Sequence, residues 1–230
     1  MSIAALIVAA GRGVRFGTDC LKQFALLRNK PILFHSIEIF ENMGEFDQIW
    51  LVLPEDFMDE LERRFDLSPY KKIGGWVAGG ARRQDSVWAG LSNLPDETEI
   101  VAIHDAVRPC APAAAISQAV RRARQAGAAI LAAPVLDTLK RCDDTDHIVE
   151  TIERKRLWLA QTPQVFRFDL VRRAFRKVLD DQVEITDDAA AVERLGGRVE
   201  VVRSDWPNPK ITTPPDARLA ELLLREKGQL

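Results

Sequence analysis

The sequence predicts an α/β fold: a Rossmann-like three-layer sandwich around a mostly parallel twisted sheet, with a β-hairpin arm protruding from it. Three observations carry this. Apolar strand-like runs alternate with amphipathic helical runs along most of the chain, the pattern of strands joined by crossover helices. The first run, Ala4–Ala10, is apolar throughout instead of alternating, as expected of a strand buried on both faces of a parallel sheet. The rhythm breaks once, between Val135 and Leu159, where the pattern turns polar and charged.

Strands are expected at Ala4–Ala10, Gln48–Leu53, Lys71–Val77, Glu99–His104, Ala128–Pro134 and Arg198–Arg203. Helices are expected at Pro31–Glu41, Glu55–Phe65, Gln84–Leu94, Pro112–Gln125, Asp169–Leu179, Asp187–Leu195 and Pro214–Glu226. Pro31, Pro112 and Pro214 suit the first turn of a helix, where the missing N–H has no intrahelical partner to lose. Gly127 and Gly196 stand where helix C-caps belong. In the exceptional segment, Thr138–Arg141 and Ile148–Ile152 flank a turn at Asp143-Asp-Thr-Asp146. This reads as an arm of about 135–159, which needs a partner surface because an isolated hairpin is marginal in water. The remainder reads as one domain over residues 1–230, without internal repeats.

The composition narrows the function. A net charge of −2 offers no surface for nucleic acid or an anionic membrane, so anion binding must come from local Arg and Lys clusters. No apolar run approaches the roughly 18 residues of a membrane span. Three cysteines and three histidines are too scattered for a disulfide framework or a metal-ligand spacing. With Met-Ser leading directly into the first strand, a signal peptide is not expected, and the cytoplasm is the expected location.

The turn after the first strand carries the chemistry. Glycines at 11, 13 and 17 let the backbone turn sharply and approach a ligand, while Arg12, Arg15 and Lys22 supply cations for a polyphosphate. A P-loop would need G-x-x-x-x-G-K-[ST], which does not occur. The dinucleotide pattern G-x-G-x-x-G would need glycine at 16, where Phe16 stands. A nucleotide-binding loop of another kind remains, as does a plain βα turn with solvated arginines. Asp105 follows the apolar run Ile100–Ile103 and so falls at the carboxyl end of a strand, where open α/β sheets bind ligands. A hard carboxylate there suits Mg²⁺, and equally a turn cap.

Val8-Ala-Ala-Gly-Arg-Gly-Val-Arg15 with Lys22-Gln-Phe24 resembles the signature of nucleotide-sugar-type nucleotidyltransferases. Gly79-Gly-Ala-Arg-Arg-Gln-Asp-Ser86, His104-Asp-Ala-Val-Arg-Pro109, Ala133-Pro-Val-Leu-Asp-Thr-Leu-Lys140, Gln161-Thr-Pro-Gln-Val-Phe166, Thr186-Asp-Asp188 and Asn208-Pro-Lys-Ile-Thr212 narrow it further. In this order, spanning nearly the whole chain, they resemble the 2-C-methyl-D-erythritol 4-phosphate cytidylyltransferase family of the non-mevalonate isoprenoid pathway.

The resemblance implies attack of a polyol phosphate on the α-phosphorus of CTP with release of pyrophosphate, chemistry that relies on positioning and charge neutralisation. It implies catalytic roles for Arg15, Lys22 and Lys210, with Mg²⁺ on Asp105. CTP would be contacted by Ala9, Ala10, Gly11, Gly80, Ala81, Asp85, Ser86 and Ala106, largely through backbone groups. Ser86 is also an ordinary helix-start hydroxyl, and Asp85 a residue that orients the turn. The acceptor would be contacted by Arg108, Thr162 and Thr186, and by Thr138 and Arg154 reaching in from the arm of a second subunit. The family is a homodimer with such arm-exchanged sites. Arg154 on its own belongs to the charge run Glu153-Arg-Lys-Arg156, ordinarily a solvated face.

This chain departs from the family in three places. Ala81 and Leu21 replace a frequent acidic residue and a usual proline, and Pro207-Asn-Pro209 lacks a frequent carboxylate, leaving Asp205 as a candidate substitute. Two rival functions share much of the pattern: a ribitol 5-phosphate cytidylyltransferase and a nucleotide-binding module without catalysis. Ile152-Glu-Arg-Lys-Arg-Leu-Trp158 and Asp137-Thr-Leu-Lys-Arg141 favour the methylerythritol enzyme over the first. The joint presence of Arg15, Lys22, Asp105 and Lys210 argues against the second.

Overall fold

The computed structural model describes residues 2–11 and 21–226. In chain order the elements are β1 (Ser2–Val8), β2 (Leu26–Leu27), β3 (Lys30–Pro31), α1 (Ile32–Glu41), β4 (Gln48–Leu53), α2 (Leu61–Arg64), β5 (Ile73–Ala78) and α3 (Arg83–Asn93). They continue with β6 (Thr98–Asp105), α4 (Ala113–Ala126), β7 (Ala128–Pro134), β8 (Leu139–Cys142), β9 (Ile148–Ile152), β10 (Trp158–Arg167), α5 (Phe168–Asp180), α6 (Asp188–Arg194), β11 (Glu200–Arg203) and α7 (Pro214–Glu226). Seven strands form the central sheet in the order β11-β7-β10-β6-β1-β4-β5. All neighbouring pairs are parallel except those of β10, which runs antiparallel to both β6 and β7.

The unbroken apolar run of β1 is explained by its two buried faces. Ile3, Ala5 and Ile7 join one core with α1 and α4, through Leu33, Phe34, Ile37, Phe40, Ile116 and Val120. Ala4 and Leu6 point the other way, into a core with α3, α5 and α6. The period-2 alternation of a strand is present, but both sides are apolar because both are covered. Each fully buried Phe or Leu in these layers contributes about 1.5–3 kcal/mol relative to exposure. Gly127, with φ of +96°, ends α4 in a conformation that costs a side-chain-bearing residue, and turns the chain directly into β7.

Three local expectations are corrected. β10 was not foreseen: its register shifts between Ala160 and Gln164, around Pro163, so the sequence shows no clean alternation there. The expected helix over Glu55–Phe65 is a 3₁₀ turn at Glu55–Phe57 followed by the four-residue α2. Between them, Phe57 and Leu61 anchor the segment to the core. The small β2–β3 ribbon, turning through Arg28 and Asn29 at positive φ, also carried no readable period.

The arm is a hairpin of β8 and β9 that forms its own two-stranded sheet. Its tip is organised by Asp143, whose Oδ1 accepts from the backbone N–H of Thr145 at 2.9 Å and of His147 at 3.0 Å. Leu136, Ile148, Val149 and Leu159 lie exposed on and around it.

Candidate active site

The parallel strands β1, β4, β5 and β6 all end at one edge, and the ladder continues past each end. Ala9 N–H donates to Val52 O at 2.8 Å, Gly79 N–H to Leu53 O at 2.8 Å and Ala106 N–H to Val8 O at 3.1 Å. These bonds fix the backbone around a cavity of about 690 Å³ at the carboxyl edge of the sheet. Ala9, Ala10, Gly11, Lys22, Gly80, Ala81, Ser86, Asp105, Ala106 and Lys210 line it, bringing together ten of the expected site residues. Arg15 lies outside the described residues.

The turn Gly79–Arg82 owes its shape to contact on two sides. A Cβ on Gly79 would collide with the Ala10 methyl and come within 2.8 Å of Ser86 Oγ, so only glycine allows the β5 and β1 ends to close up. Ser86 Oγ accepts the Gly80 N–H at 3.1 Å, and Ser86 is buried. Asp85 accepts from Arg82 through its backbone N–H at 3.1 Å and from both Nε at 3.0 Å and Nη2 at 2.8 Å. Asp85 therefore orients the turn from behind and does not line the cavity.

Lys22 is held by its neighbours. Phe24 stacks on Phe57 with ring centroids 3.8 Å apart, and buried Gln23 donates through Nε2 to Ala9 O. This short 3₁₀ turn ties the lysine to the end of β1 through Gln23 and to the Glu55–Phe57 turn through Phe24. Lys210 is fixed in the same manner. Asn208 Nδ2 donates to Thr162 O at 2.8 Å, Ile211 N–H to Val107 O at 2.9 Å, and Asp216 Oδ2 accepts from Thr212 N–H at 2.9 Å and Oγ1 at 2.7 Å. Those bonds from Thr212 hold the Asp216 carboxyl down at about 2.

Asp105 is nearly buried and receives three cations: Lys210 Nζ at 2.8 Å on Oδ2, Arg83 Nε at 3.1 Å on Oδ1, and Arg108 Nε at 3.8 Å on Oδ2. Burial pushes its carboxyl up, but the charges of Arg83, Lys210 and Arg108 together hold it well below the usual carboxylate range. It is ionised at any ordinary pH. Among the described residues no group of three His, Cys, Asp or Glu is placed to hold a metal. A single carboxylate still fits Mg²⁺ of the kind that draws its remaining ligands from substrate phosphates and water. Asp205 does not add a second one, because it is exposed, paired with Arg203 and absent from the cavity wall.

The residues expected around the acceptor separate into two groups. Arg108 and Thr162 sit behind Asp105. Arg108 Nη1 donates to Asn208 O at 2.7 Å, and Thr162 Oγ1 accepts the Asp105 N–H at 3.0 Å while lying 3.2 Å from His104 Nδ1. Burial drives His104 down to about 4, so its ring is neutral, and Nε2 lies 3.1 Å from Arg108 O. Neither Arg108 nor Thr162 lines the cavity. Thr186 is exposed just before α6, whose N-cap Asp187 accepts the Ala190 N–H at 3.0 Å. Thr138 and Arg154 flank the paired Leu139 and Ile152 at the root of the arm, and neither lines this chain's own cavity.

Sequence reasoning gave no role to Gln23, Arg83, Gln164 or Asp188, although all four lie inside motifs it had marked. Arg83 forks onto Asp188 with Nη1 at 2.7 Å and Nη2 at 2.8 Å. Gln164 Nε2 donates to Asp187 at 2.8 Å and its Oε1 accepts the Ala189 N–H at 2.8 Å. Only Gln164, next to Val165-Phe166, carried a signal, as a polar residue beside an apolar pair; buried polar groups of this kind must be paired.

The description of the IspD family, 2-C-methyl-D-erythritol 4-phosphate cytidylyltransferase, matches residues 3–226. The chain belongs to this family. A curated member from Desulforamulus reducens is 42% identical over 230 residues, covering 99% of this chain and 97% of its own. One from Syntrophotalea carbinolica is 45% identical over 231 residues, covering 99% and 98%. Both bear the family's name. The crystal structure of 4-diphosphocytidyl-2C-methyl-D-erythritol synthase from Anaerococcus prevotii superposes with a TM-score of 0.84 at 30% identity, covering 97% of this chain and 98% of that one. The α/β sandwich is therefore the family's fold, and the cavity at its sheet edge is the place to look for its chemistry.

Proposed function

We propose that this protein transfers the cytidylyl group of CTP to 2-C-methyl-D-erythritol 4-phosphate. The observation that carries this reading is Asp105 at the end of β6, facing a cavity between the Gly79–Arg82 turn and Lys22, with Lys210 on its outer oxygen. The backbone of Ala9, Ala10, Gly11, Gly80, Ala81 and Ala106 receives the nucleoside, and Ser86 and Asp85 keep the turn in shape. An oxygen of the acceptor phosphate attacks the α-phosphorus. The bond to the β-phosphate breaks, and pyrophosphate leaves with that electron pair. Lys22, Arg15 and Lys210 offset the charge that gathers as the acceptor phosphate meets the triphosphate. Asp105 would hold Mg²⁺, which would supply charge neutralisation at the phosphates.

The arm supports a homodimer reading. Ile148 and Val149 are exposed on opposite faces of β9, and Trp158 and Leu159 are exposed at its root, apolar area that a second copy wrapping the arm would cover. Thr138 and Arg154 then complete the neighbour's acceptor site with Thr186, while Arg108 and Thr162 set the floor beneath it. No helix among the described residues is long and apolar enough to cross a membrane, and we place the protein in the cytoplasm. The test is pyrophosphate release from CTP and Mg²⁺ with either methylerythritol 4-phosphate or ribitol 5-phosphate. Release with the first is expected. Preference for ribitol phosphate overturns the substrate, and silence with both overturns the enzyme reading.

A further inference from the structure

A buried carboxylate surrounded by cations poses a problem for any site that must also hold a divalent ion. Three full positive charges on Asp105 would cancel the field that attracts the metal. The geometry separates them. Lys210 is two-fifths exposed and makes a single contact with Asp105, so it is free to follow phosphate. Arg83 is different: two of its nitrogens grip the fully buried Asp188, and only Nε is left for Asp105. Its charge is shared between two carboxylates, so the trio Asp188–Arg83–Asp105 carries −1, which Arg108, with Nε 3.8 Å from Asp105 Oδ2 and so beyond hydrogen-bond distance, offsets only through space.

We infer that Arg83 is a positioning residue that orients Asp105 without neutralising it, and that Asp188 makes this possible by absorbing the Arg83 charge. The inference rests on the metal reading of Asp105. Arg83 stands in the first turn of α3, next to the turn expected to contact CTP, while Asp188 opens α6, next to Thr186. One guanidinium thus registers three things against each other: the turn expected to contact CTP, the metal carboxylate and the acceptor side. A planar fork suits this because its donors are fixed relative to one another, which a lysine ammonium cannot reproduce. The polar atoms of the bridge also satisfy one another, as buried charges must.

The readout is Mn²⁺ binding, followed by electron paramagnetic resonance, in the presence of a CTP analogue with a methylene group between the α- and β-phosphates. Asp188→Asn keeps the shape but releases the whole Arg83 charge onto Asp105, and is expected to weaken Mn²⁺ binding about 10-fold, with the KM for CTP at saturating metal little changed. Asp188→Glu, which restores the charge, is expected to recover most of the affinity. If Asp188→Asn does not fold, Arg83→Lys, which keeps the charge but loses the fork, is expected to show the same weakening. A folded Asp188→Asn or Arg83→Lys protein that melts earlier yet binds Mn²⁺ as the parent does would leave the bridge a purely structural element and overturn the inference. A parent protein that binds no Mn²⁺ with the analogue overturns the metal reading, and this inference with it.

Discussion

The nucleotide side of the cavity and the arm are built on opposite principles. Around Asp105 the chain is tied together by many polar links: backbone ladders continue past the strand ends, Gln23 and Asn208 donate to carbonyls, and ion pairs tie β6 to α3 and α3 to α6. Among the described residues there, Arg108 Nε and Asn208 Oδ1 are left without hydrogen-bond partners. The arm is a two-stranded ribbon with exposed apolar side chains and an acidic tip held by its own bonds. One region is knit into the sheet edge and its helices. The other leaves Ile148, Val149 and Leu159 exposed, which the proposed homodimer would cover. The difference teaches where rigidity is useful: reacting phosphates demand fixed charges, whereas a subunit contact can order its ribbon when it forms.

The comparison can be broken most severely on the rigid side. Lys22→Ala is expected to lower turnover by about 10²–10³-fold, the usual cost of removing one preorganised charge from a transition state. Sedimentation should show the assembly unchanged, and turnover within a few fold of the parent would remove Lys22 from the catalytic set. On the arm, Arg154→Ala is expected to raise the acceptor KM by about 10- to 100-fold, equivalent to one lost charge-assisted bond. The KM for CTP should hardly move. Mixed dimers of the Lys22→Ala and Arg154→Ala proteins should regain activity, since one of their two sites is then intact; verified heterodimers without recovery would place both groups in one subunit's site.

A third change probes the turn that joins the two strand ends. Gly79→Ala drives a methyl into Ala10 and Ser86, at a cost of about 1–3 kcal/mol, and calorimetry should find CTP binding weakened about 10-fold. Unchanged binding would mean the turn yields easily. The smallest effect belongs to His35, far from the phosphates in α1. Burial lowers its pKa below the ordinary value, against the raising effect of its bond to Leu27 O. Because the folded value is the depressed one, the group favours the native state above about pH 6.5, and that contribution is lost as the pH falls toward the folded pKa. Urea unfolding at about pH 7.5 and about pH 5.5 should show a smaller pH dependence in His35→Gln than in the parent.

How far the sequence could be read follows from the range of each interaction. The βα alternation and the Gly79 turn depend on local pattern, and both are found where they were expected. Lys22, Asp105 and Lys210 converge because each terminates or follows an element whose end was readable. Thr162 is a substrate contact only by resemblance; the contacts of its hydroxyl with Asp105 N–H and His104 Nδ1 could not be read from the sequence, because the register shift of β10 hides the strand that carries it. The Arg83 bridge to Asp188 spans two helices far apart in the chain, and no periodicity encodes it. Ionic links of this sort become visible only once tertiary packing brings the helix ends together.

Strand β10 begins among the exposed Trp158 and Leu159 at the arm's root and ends with Val165 and Phe166 inside the core, carrying Thr162 between them. Its one interruption, between Ala160 and Gln164, lies beside Thr162. The root of the arm and the floor of the cavity are therefore written in one reading frame. A residue inserted at the tip, around Asp143–Asp146, lengthens a loop and alters little else. A residue inserted between Trp158 and Gln161 would turn the following side chains to the opposite face of the sheet, and the hydroxyl beneath Asp105 with them.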